Sequence, residues 1–518
     1  MHINVIDLFA GPGGLGEGFF SFNPVGEKYF PFQALCSVEK DIYAHATLRL
    51  RAFYRKLVQS GQLLPDNYYR YARNLADLPH DEHSAKLWEN ACEETLLLTL
   101  GDDEAKDMHL FNVLKQKLIC GSQVAPTVLI GGPPCQAYSL VGRARNKGNS
   151  AYVPEKDGRH FLYKEYLKIM EIFSPDIFIM ENVKGLLTSQ VNGGAVFNQI
   201  LADLQTCSEG YTLFSLNTGE PFGEHGFTDP RDFVLASEKY GVPQARHRII
   251  IMGVKKSTAA LIERIRSLEE KPPVSVGDAI SNLPARRSSF SNRSRFFSTN
   301  TFEDWKLNLN RGINNLLSTD KSLDTELVEA MKDYLLKINN SVEPRQQKEF
   351  YQYLDMSRKE YHDFVCDSQG EEVLSHEPRP HMDSDLIRYF FCAVFRRAKG
   401  RNPRDHDFPA MLAPEHKSWN SGKFMDRFKV QGEDGFSSTV TSHISKDGHY
   451  FIHPDPVQCR SLTVREAARL QSFPDSYLFM GPRTQQYHQV GNAVPPLLAR
   501  QIASIVYDTL MSVNGGMK

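Results

Sequence analysis

The sequence predicts an α/β fold, a mostly parallel sheet wound by helices on both faces. Short apolar runs recur at 3–9, 127–132, 177–180 and 248–254, amphipathic stretches separate them, and the first two end in glycine-rich turns. Strands alternating with helices in this way form parallel sheets with helical crossovers.

The run INVIDLF, residues 3–9, reads as a buried strand, and a helix is expected from Leu15 to Phe22. FQALCSVEKD, 32–41, reads as a second strand ending in acid, and 42–58 as a helix with a basic face. Residues 61–126 are polar, with helices expected around 84–98 and 104–118. TVLIGG, 127–132, is a further strand running into a loop. In HFLYKEYLKIMEIF, 160–173, Leu162, Tyr166, Ile169, Met170 and Phe173 form one apolar stripe of a helix. Ser174-Pro175-Asp176 stops it, and the strands IFIM (177–180) and RIIIMGV (248–254) follow. Residues 256–435 are richer in Arg, Asn and Ser and lose the alternation. Thr463 to Glu466 reads as a capping box opening a helix that Pro474 closes, and Pro495-Pro496 starts a last helix with Leu498, Ile502, Ile505 and Val506 inward. The expected domains are 1–255 with an insertion near 60–125, a second and smaller domain over 256–483, and 484–518 returning to the first.

The bulk numbers bound the function. A chain of 518 residues holds two or three domains, and 41% hydrophobic with 24% charged residues is ordinary for a globular protein. A formal net charge of -2 excludes a polycation, so any DNA binding needs local basic clusters. The eight cysteines form no CxxC pair, which leaves zinc ribbons and thioredoxin-type sites unsupported; no metal is expected. No apolar run approaches membrane-spanning length and the N-terminus lacks a signal-peptide pattern, so a cytoplasmic protein without a membrane partner is expected.

Gly11, Gly13 and Gly16 form G-x-G-x-x-G between the first strand and the first helix, where backbone can approach a cofactor closely. Glu39 ends the next strand and can accept hydrogen bonds from both hydroxyls of a ribose, and Phe9 offers an aromatic face beside the loop. These features suit any nucleotide-like cofactor, a nicotinamide included, and a structural glycine turn or simple core packing of Phe9 explains them too. Gly131-Gly132-Pro133-Pro134-Cys135 follows a strand, at the edge where such folds place their chemistry. A lone cysteine is most often a small hydrophobe, but two prolines at a strand end aim it as a nucleophile.

Six segments in one order carry a resemblance: DLFAGPGG (7–14), GGPPCQAYS (131–139), ENV (181–183), QARHR (244–248), RSLTVREAARLQSFP (460–474) and GNAVPP (491–496). The chain resembles the DNA (cytosine-5) methyltransferases, and they span both ends and the middle of it. The resemblance implies a Rossmann-like doubly wound methyltransferase sheet with a target recognition domain over 256–483. It implies an enzyme, a DNA (cytosine-5-)-methyltransferase (EC 2.1.1.37), acting on a flipped cytosine in a specific duplex sequence. S-adenosyl-L-methionine is the implied cofactor, leaving as S-adenosyl-L-homocysteine, with Phe9, Gly11, Gly13, Gly14, Leu15, Glu39, Pro133, Asn492 and Ala493 around it.

By the same resemblance Cys135 is the nucleophile, Glu181 acts on cytosine N3, and Arg246 contacts cytosine O2 and the nucleophile loop. Gln244, Arg246 and Arg248 alternate, which predicts one shared strand face. Arg248 reads either as a DNA contact or as a salt-bridge partner. The loop 136–150 carries Gln136, Ser139, Arg143, Arg145 and Lys147 and suits a basic lid over the base, or an ordinary solvated loop. Basic runs at 285–297 and 395–404, with Arg396 and Arg397 in the second, suit phosphate contacts, although a charge run is more often a solvated face. One departure concerns the Gly-Asp-Ile segment whose Asp holds the adenine amino group in the family. No clear copy exists, and Asp102 and Asp77 are the candidates.

The competing readings are a transfer-RNA cytosine-5 methyltransferase, which the long recognition region disfavours, and an inactive DNA-binding regulator, which the intact Cys135 and Glu181 disfavour. The expected setting is prokaryotic or viral and nucleoid-associated, in a restriction-modification or other antiviral defence system. The enzyme is expected as a monomer on double-stranded DNA, with cognate restriction or defence proteins as partners.

Overall fold

The computed structural model describes residues 2–24, 29–119, 125–134, 162–191, 194–223, 226–292, 299–343, 358–367, 373–414, 419 and 427–515. The chain divides into two compact units. One comprises Met1–Pro273, Tyr477–Gly481 and Asn492–Lys518; the other comprises Val274–Ser476 and Pro482–Gly491. Residues past 255 therefore stay with the first unit up to Pro273, where Ala259, Ile265 and Leu268 are buried in its core.

The first unit is built on the strands β1 (Ile3–Leu8), β2 (Phe32–Glu39), β3 (Thr95–Leu97), β4 (Thr127–Gly131) and β5 (Ile177–Val183). Their order in the sheet is β3-β2-β1-β4-β5, followed by the strands His247–Lys255 and Tyr211–Phe214. The pairs among β1 to β5 are parallel, and the strand His247–Lys255 pairs antiparallel with β5. The sequence reading of a mostly parallel, doubly wound sheet is thus what the backbone forms.

Both faces of that sheet are covered, which is why its strands read as unbroken apolar runs. Ile3 and Val5 join Leu15, Phe19, Leu498, Ile502, Ile505 and Val506 in one core. Ile6 and Leu8 join Leu114, Tyr166, Ile169 and Ile200 in the other. The helices named here follow the strands: α1 (Gly14–Phe20), α2 (Ile42–Ser60), α3 (Asn67–Ala72), α4 (Ala85–Glu94) and α5 (Glu104–Ile119). The last helix, Pro496–Gly515, lies so close to α1 that a side chain at Gly18 would collide with the backbone at Ala499.

Two expectations need correction. The helix expected over 84–98 ends at Glu94, and Thr95–Leu97 pairs with Ser37–Glu39 as an edge strand. Three residues are too few for a period to declare itself, so tertiary pairing decides them. The alternation through Gln244, Arg246 and Arg248 is also interrupted. Gln244 N–H donates to Val242 O (2.8 Å) and Arg246 N–H to Gln244 O (2.9 Å), and the long strand begins only at His247.

The second unit packs the helices Phe302–Thr319, Thr325–Asn340 and Asp383–Lys399 around Trp305, Leu309, Ile313, Met331, Tyr389 and Phe391. The capping box at Thr463 and Glu466 forms as read. Arg460 clasps Glu466 with two contacts of 2.7 Å, and Arg469 clasps Asp475 at 2.9 and 2.6 Å. All four are buried. Among the described residues no helix is long and apolar enough to cross a membrane.

Candidate active site

In an open wound sheet, ligands collect past the carboxyl ends of the strands where the strand order reverses. Here the reversal lies between β1 and β4, whose last residues Leu8 and Gly131 are paired in register. The glycine loop leaves the end of β1, and the Gly-Gly-Pro-Pro loop leaves the end of β4.

Phe9 turns the chain out of β1 with a φ of 53°, an unusual conformation for a bulky residue. Gly11 and Gly13 continue in the left-handed region at φ 58° and 95°. A Cβ added at Gly11 would meet nothing within 4 Å, so open space lies over the loop there. Gly11 N–H donates to Glu39 Oε2 at 2.8 Å, and Asp41 N–H donates to Glu39 Oε1 at 2.8 Å. Burial raises the Glu39 pKa, and the backbone donors oppose the rise. Its oxygens each keep a lone pair, which suits two ribose hydroxyls. Gly14 abuts Ala493 and the Val494 carbonyl, so the GNAVPP segment does border the loop, while Asn492 is exposed. The Leu15 side chain is buried in the core, which leaves only its backbone for the loop.

Gly16 has a different cause. A Cβ there would stand 2.7 Å from Asp7 Oδ2. Asp7 is buried on β1 with neither carboxylate oxygen partnered among the described residues. Burial, and then the charge of Glu39, raise its pKa well above the ordinary range, while Arg55 opposes the rise.

The strand β3 also reveals where the chain turns beside Glu39. Leu97 pairs with Glu39, and the next turn is Leu98 to Asp103. Asp103 accepts from Ala105 N–H at 3.0 Å, and Asp107 accepts from Gly101 N–H at 3.1 Å. Asp102 is the exposed carboxylate of that turn. Asp77 lies between α3 and α4 in the chain.

At the other loop, a Cβ on Gly132 would lie 2.8 Å from Glu181 Oε2. Asn182, buried beside Glu181 on β5, donates from Nδ2 to Pro133 O at 3.3 Å and accepts from Val183 N–H at 2.8 Å. The ends of β4 and β5 are thereby fastened, with the carboxylate against the loop. Arg248 Nε stands 3.0 Å from Glu181 Oε1, so the salt-bridge reading of Arg248 is the one the geometry bears out. Arg246 is buried, and its carbonyl accepts from Ser237 Oγ at 2.7 Å and from Ser237 N–H at 3.1 Å. Burial, then Arg248, pull the Arg246 pKa well below its ordinary value, and Glu181 opposes them. Burial likewise lowers the Arg248 pKa, and Glu181 opposes that fall, so both guanidiniums are coupled to this one carboxylate.

Cys135, Gln136, Ser139, Arg143 and Arg145 lie outside the described residues. Gln244 is fully buried. In the second unit Arg396 pairs with Asp434 at 2.7 Å and Arg397 with Glu433 at 2.6 Å, so neither charge is unmatched within the protein.

Sequence reasoning missed three residues behind the glycine loop. Tyr477 donates its hydroxyl to Pro12 O, and Arg51, whose guanidinium lies 4.8 Å from the Tyr477 ring centre, is clasped by Glu17 at 2.9 and 2.6 Å. Only DSY after Pro474 hinted at a turn there.

The profile of the family described as C-5 cytosine-specific DNA methylase matches residues 114–507. The chain is 33% identical to the type II methyltransferase M.Bpa9945I of Bacillus paralicheniformis, covering 98% of this chain and 99% of that protein. It is 25% identical to the type II methyltransferase M.DdeI of Desulfomicrobium norvegicum, covering 99% of this chain and 90% of that protein. It is 26% identical to the type II methyltransferase M.AgeI of Thalassovita gelatinovora over 73% of this chain and 82% of that protein.

Proposed function

The chain belongs to the C-5 cytosine-specific DNA methylase family, and from this premise we propose that it methylates carbon 5 of a cytosine turned out of a specific duplex sequence, through a transient bond from Cys135 to carbon 6. The enzyme is a DNA (cytosine-5-)-methyltransferase and DNA is its substrate. The observation that most supports the finer reading is the Glu181 carboxylate held against Gly132, three residues before Cys135, at the strand-order reversal.

Carbon 5 of cytosine is a weak nucleophile. A thiolate adding at carbon 6 breaks the ring's aromaticity and makes carbon 5 an enamine carbon, which takes the methyl group. Loss of the carbon 5 proton then expels the thiolate and restores the ring. Electron density moves toward N3 during addition, so Glu181 acts by holding a proton at N3, and Arg246 by meeting O2. Asn182 fixes the carbonyl of Pro133 and so the direction in which the loop leaves β4. The buried target must leave the base stack, at a cost of a few kcal/mol.

S-adenosyl-L-methionine, when bound, supplies the electrophilic methyl group. The residues fit it: Glu39 for the ribose, Phe9 and the open side of Gly11 for the approach of the ligand, and Asp102 for the adenine amino group. Pro133, Gly13, Gly14, Leu15, Asn492 and Ala493 complete the surround. The second unit serves as the target recognition domain. The kinship with type II methyltransferases supports a place in restriction-modification or a related antiviral defence, in the cytoplasm with the DNA.

The test is chemical. Purified protein, S-adenosyl-L-methionine and duplex DNA are incubated, and the DNA is digested to nucleosides. We expect 5-methyldeoxycytidine from DNA, none from transfer RNA, and none with Cys135→Ser. Methylation at a ring amino group, or undiminished turnover in the serine variant, would overturn the reading.

A further inference from the structure

The glycine loop is gripped from behind by a short return of the chain. Tyr477–Gly481 belongs to the first unit, although the chain before it and after it belongs to the second. Within those five residues, the Tyr477 hydroxyl donates to Pro12 O and Met480 N–H donates to Thr47 Oγ1 at 2.8 Å. Gly481 packs directly against the Tyr43 ring. Thr47 and Tyr43 both lie on α2, so the stretch is fixed at both ends.

The carbonyl of Pro12 and the N–H of Gly13 share one rigid peptide plane. Holding the carbonyl therefore holds the N–H, which donates to Ala10 O at 2.9 Å and closes the turn. Pro12 stands between two left-handed glycines, Gly11 and Gly13, which by themselves tolerate many orientations of that plane. A Cβ at Gly13 would stand 2.9 Å from the Tyr477 hydroxyl, so the contact also needs glycine there. Tyr477 is itself held. Arg51 covers its ring, and Glu17, in the helix that the loop opens, clasps Arg51. Tyr477, Arg51 and Glu17 are all buried.

We propose that Tyr477 is a positioning residue for the cofactor: through Pro12 it sets the shape of the glycine loop before the cofactor arrives, with Arg51 and Glu17 as its brace. The proposal rests on the cofactor reading given above. Burial pushes the phenol pKa far up, so the hydroxyl remains a donor throughout the working range of pH. Preorganised binding loops gain affinity because less ordering remains to be done on binding. Losing the hydroxyl should therefore weaken binding and leave the chemical step alone.

The experiment uses the full chain and S-adenosyl-L-homocysteine as the probe, titrated by calorimetry. Tyr477→Phe keeps the ring under Arg51 and removes one hydrogen bond, so its dissociation constant should rise by about 3- to 10-fold. The KM for S-adenosyl-L-methionine should rise in step while kcat at saturation stays at the wild-type value. Thr47→Val, which loosens the far end of the stretch, should shift affinity the same way and carries the test if Tyr477→Phe does not fold. Tyr163→Phe, which loses a hydroxyl bonded to Asp203 elsewhere in the unit, is the control and should bind normally. If wild type binds no S-adenosyl-L-homocysteine, the cofactor reading itself fails. If wild type binds and the folded Tyr477→Phe binds equally well, or loses thermal stability alone, the positioning role is overturned.

Discussion

Glu181 carries the residue-scale argument, because its carboxylate touches the position of Gly132 and its other oxygen meets Arg248 at 3.0 Å. Replacing it with Gln keeps the shape and removes the proton chemistry. Glu181→Gln should lower kcat by about 10²- to 10⁴-fold while S-adenosyl-L-homocysteine still binds; equal turnover in both proteins would remove Glu181 from the mechanism. Gly132→Ala places a methyl 2.8 Å from Glu181 Oε2, so the loop or the carboxylate must shift. Steady-state assays should show a fall in kcat with the cofactor KM unchanged, and unaltered kinetics would mean that the contact is slack. At this scale much was legible. Glu39 and Gly11 sit in a strand-and-loop pattern that residue types alone suggest, whereas Glu181 was singled out through the family resemblance. Tyr477 and Arg51 could not be read, because Tyr477 acts on a carbonyl 465 positions away in the chain.

At the scale of elements, the capping box at Thr463 and the apolar runs of the sheet declared themselves through local chemistry and period. The strand Thr95–Leu97 did not, since pairing with β2 rather than its own pattern makes it a strand. That omission also hid the turn on which Asp102 stands. The segment 460–475 shows the opposite case, a motif in which Arg460 and Arg469 are buried in ion pairs within the second unit. Arg469→Ala leaves Asp475 buried without its clasp and should cost about 3–5 kcal/mol in chemical denaturation; a loss near zero would show that the pair is dispensable. The buried histidines of this unit make a pH prediction. Burial holds His376 and His453 down to about 4. In the unfolded chain they take protons near pH 6.5. Their folded pKa is depressed, so stability is complete above about pH 6.5 and falls as the pH drops toward 4. Thermal unfolding followed across that window should show a steadily falling Tm, and a flat Tm would contradict the neutral burial of both rings.

On the scale of the whole molecule, a net charge of -2 means that DNA affinity depends on local charge. Arg396 and Arg397 face partners that are themselves well exposed, Asp434 at 68% and Glu433 at 51%. Such pairs are worth at most about 1 kcal/mol, so a phosphate can replace the carboxylate. If both arginines meet phosphates, replacing both with Ala should lessen the dependence of log binding constant on log salt by about 2; an unchanged slope would assign them to the fold alone. The covalent step is the claim on which the account turns, and one measurement reaches it directly. Wild-type protein is incubated with S-adenosyl-L-methionine and duplex DNA carrying 5-fluorocytosine at the target, where fluorine cannot leave as a proton does. The expected product is a complex that survives denaturation, with the modified base mapped by mass spectrometry to the peptide containing Cys135. A methylated product with no trapped complex, or a bond to any other residue, would contradict it.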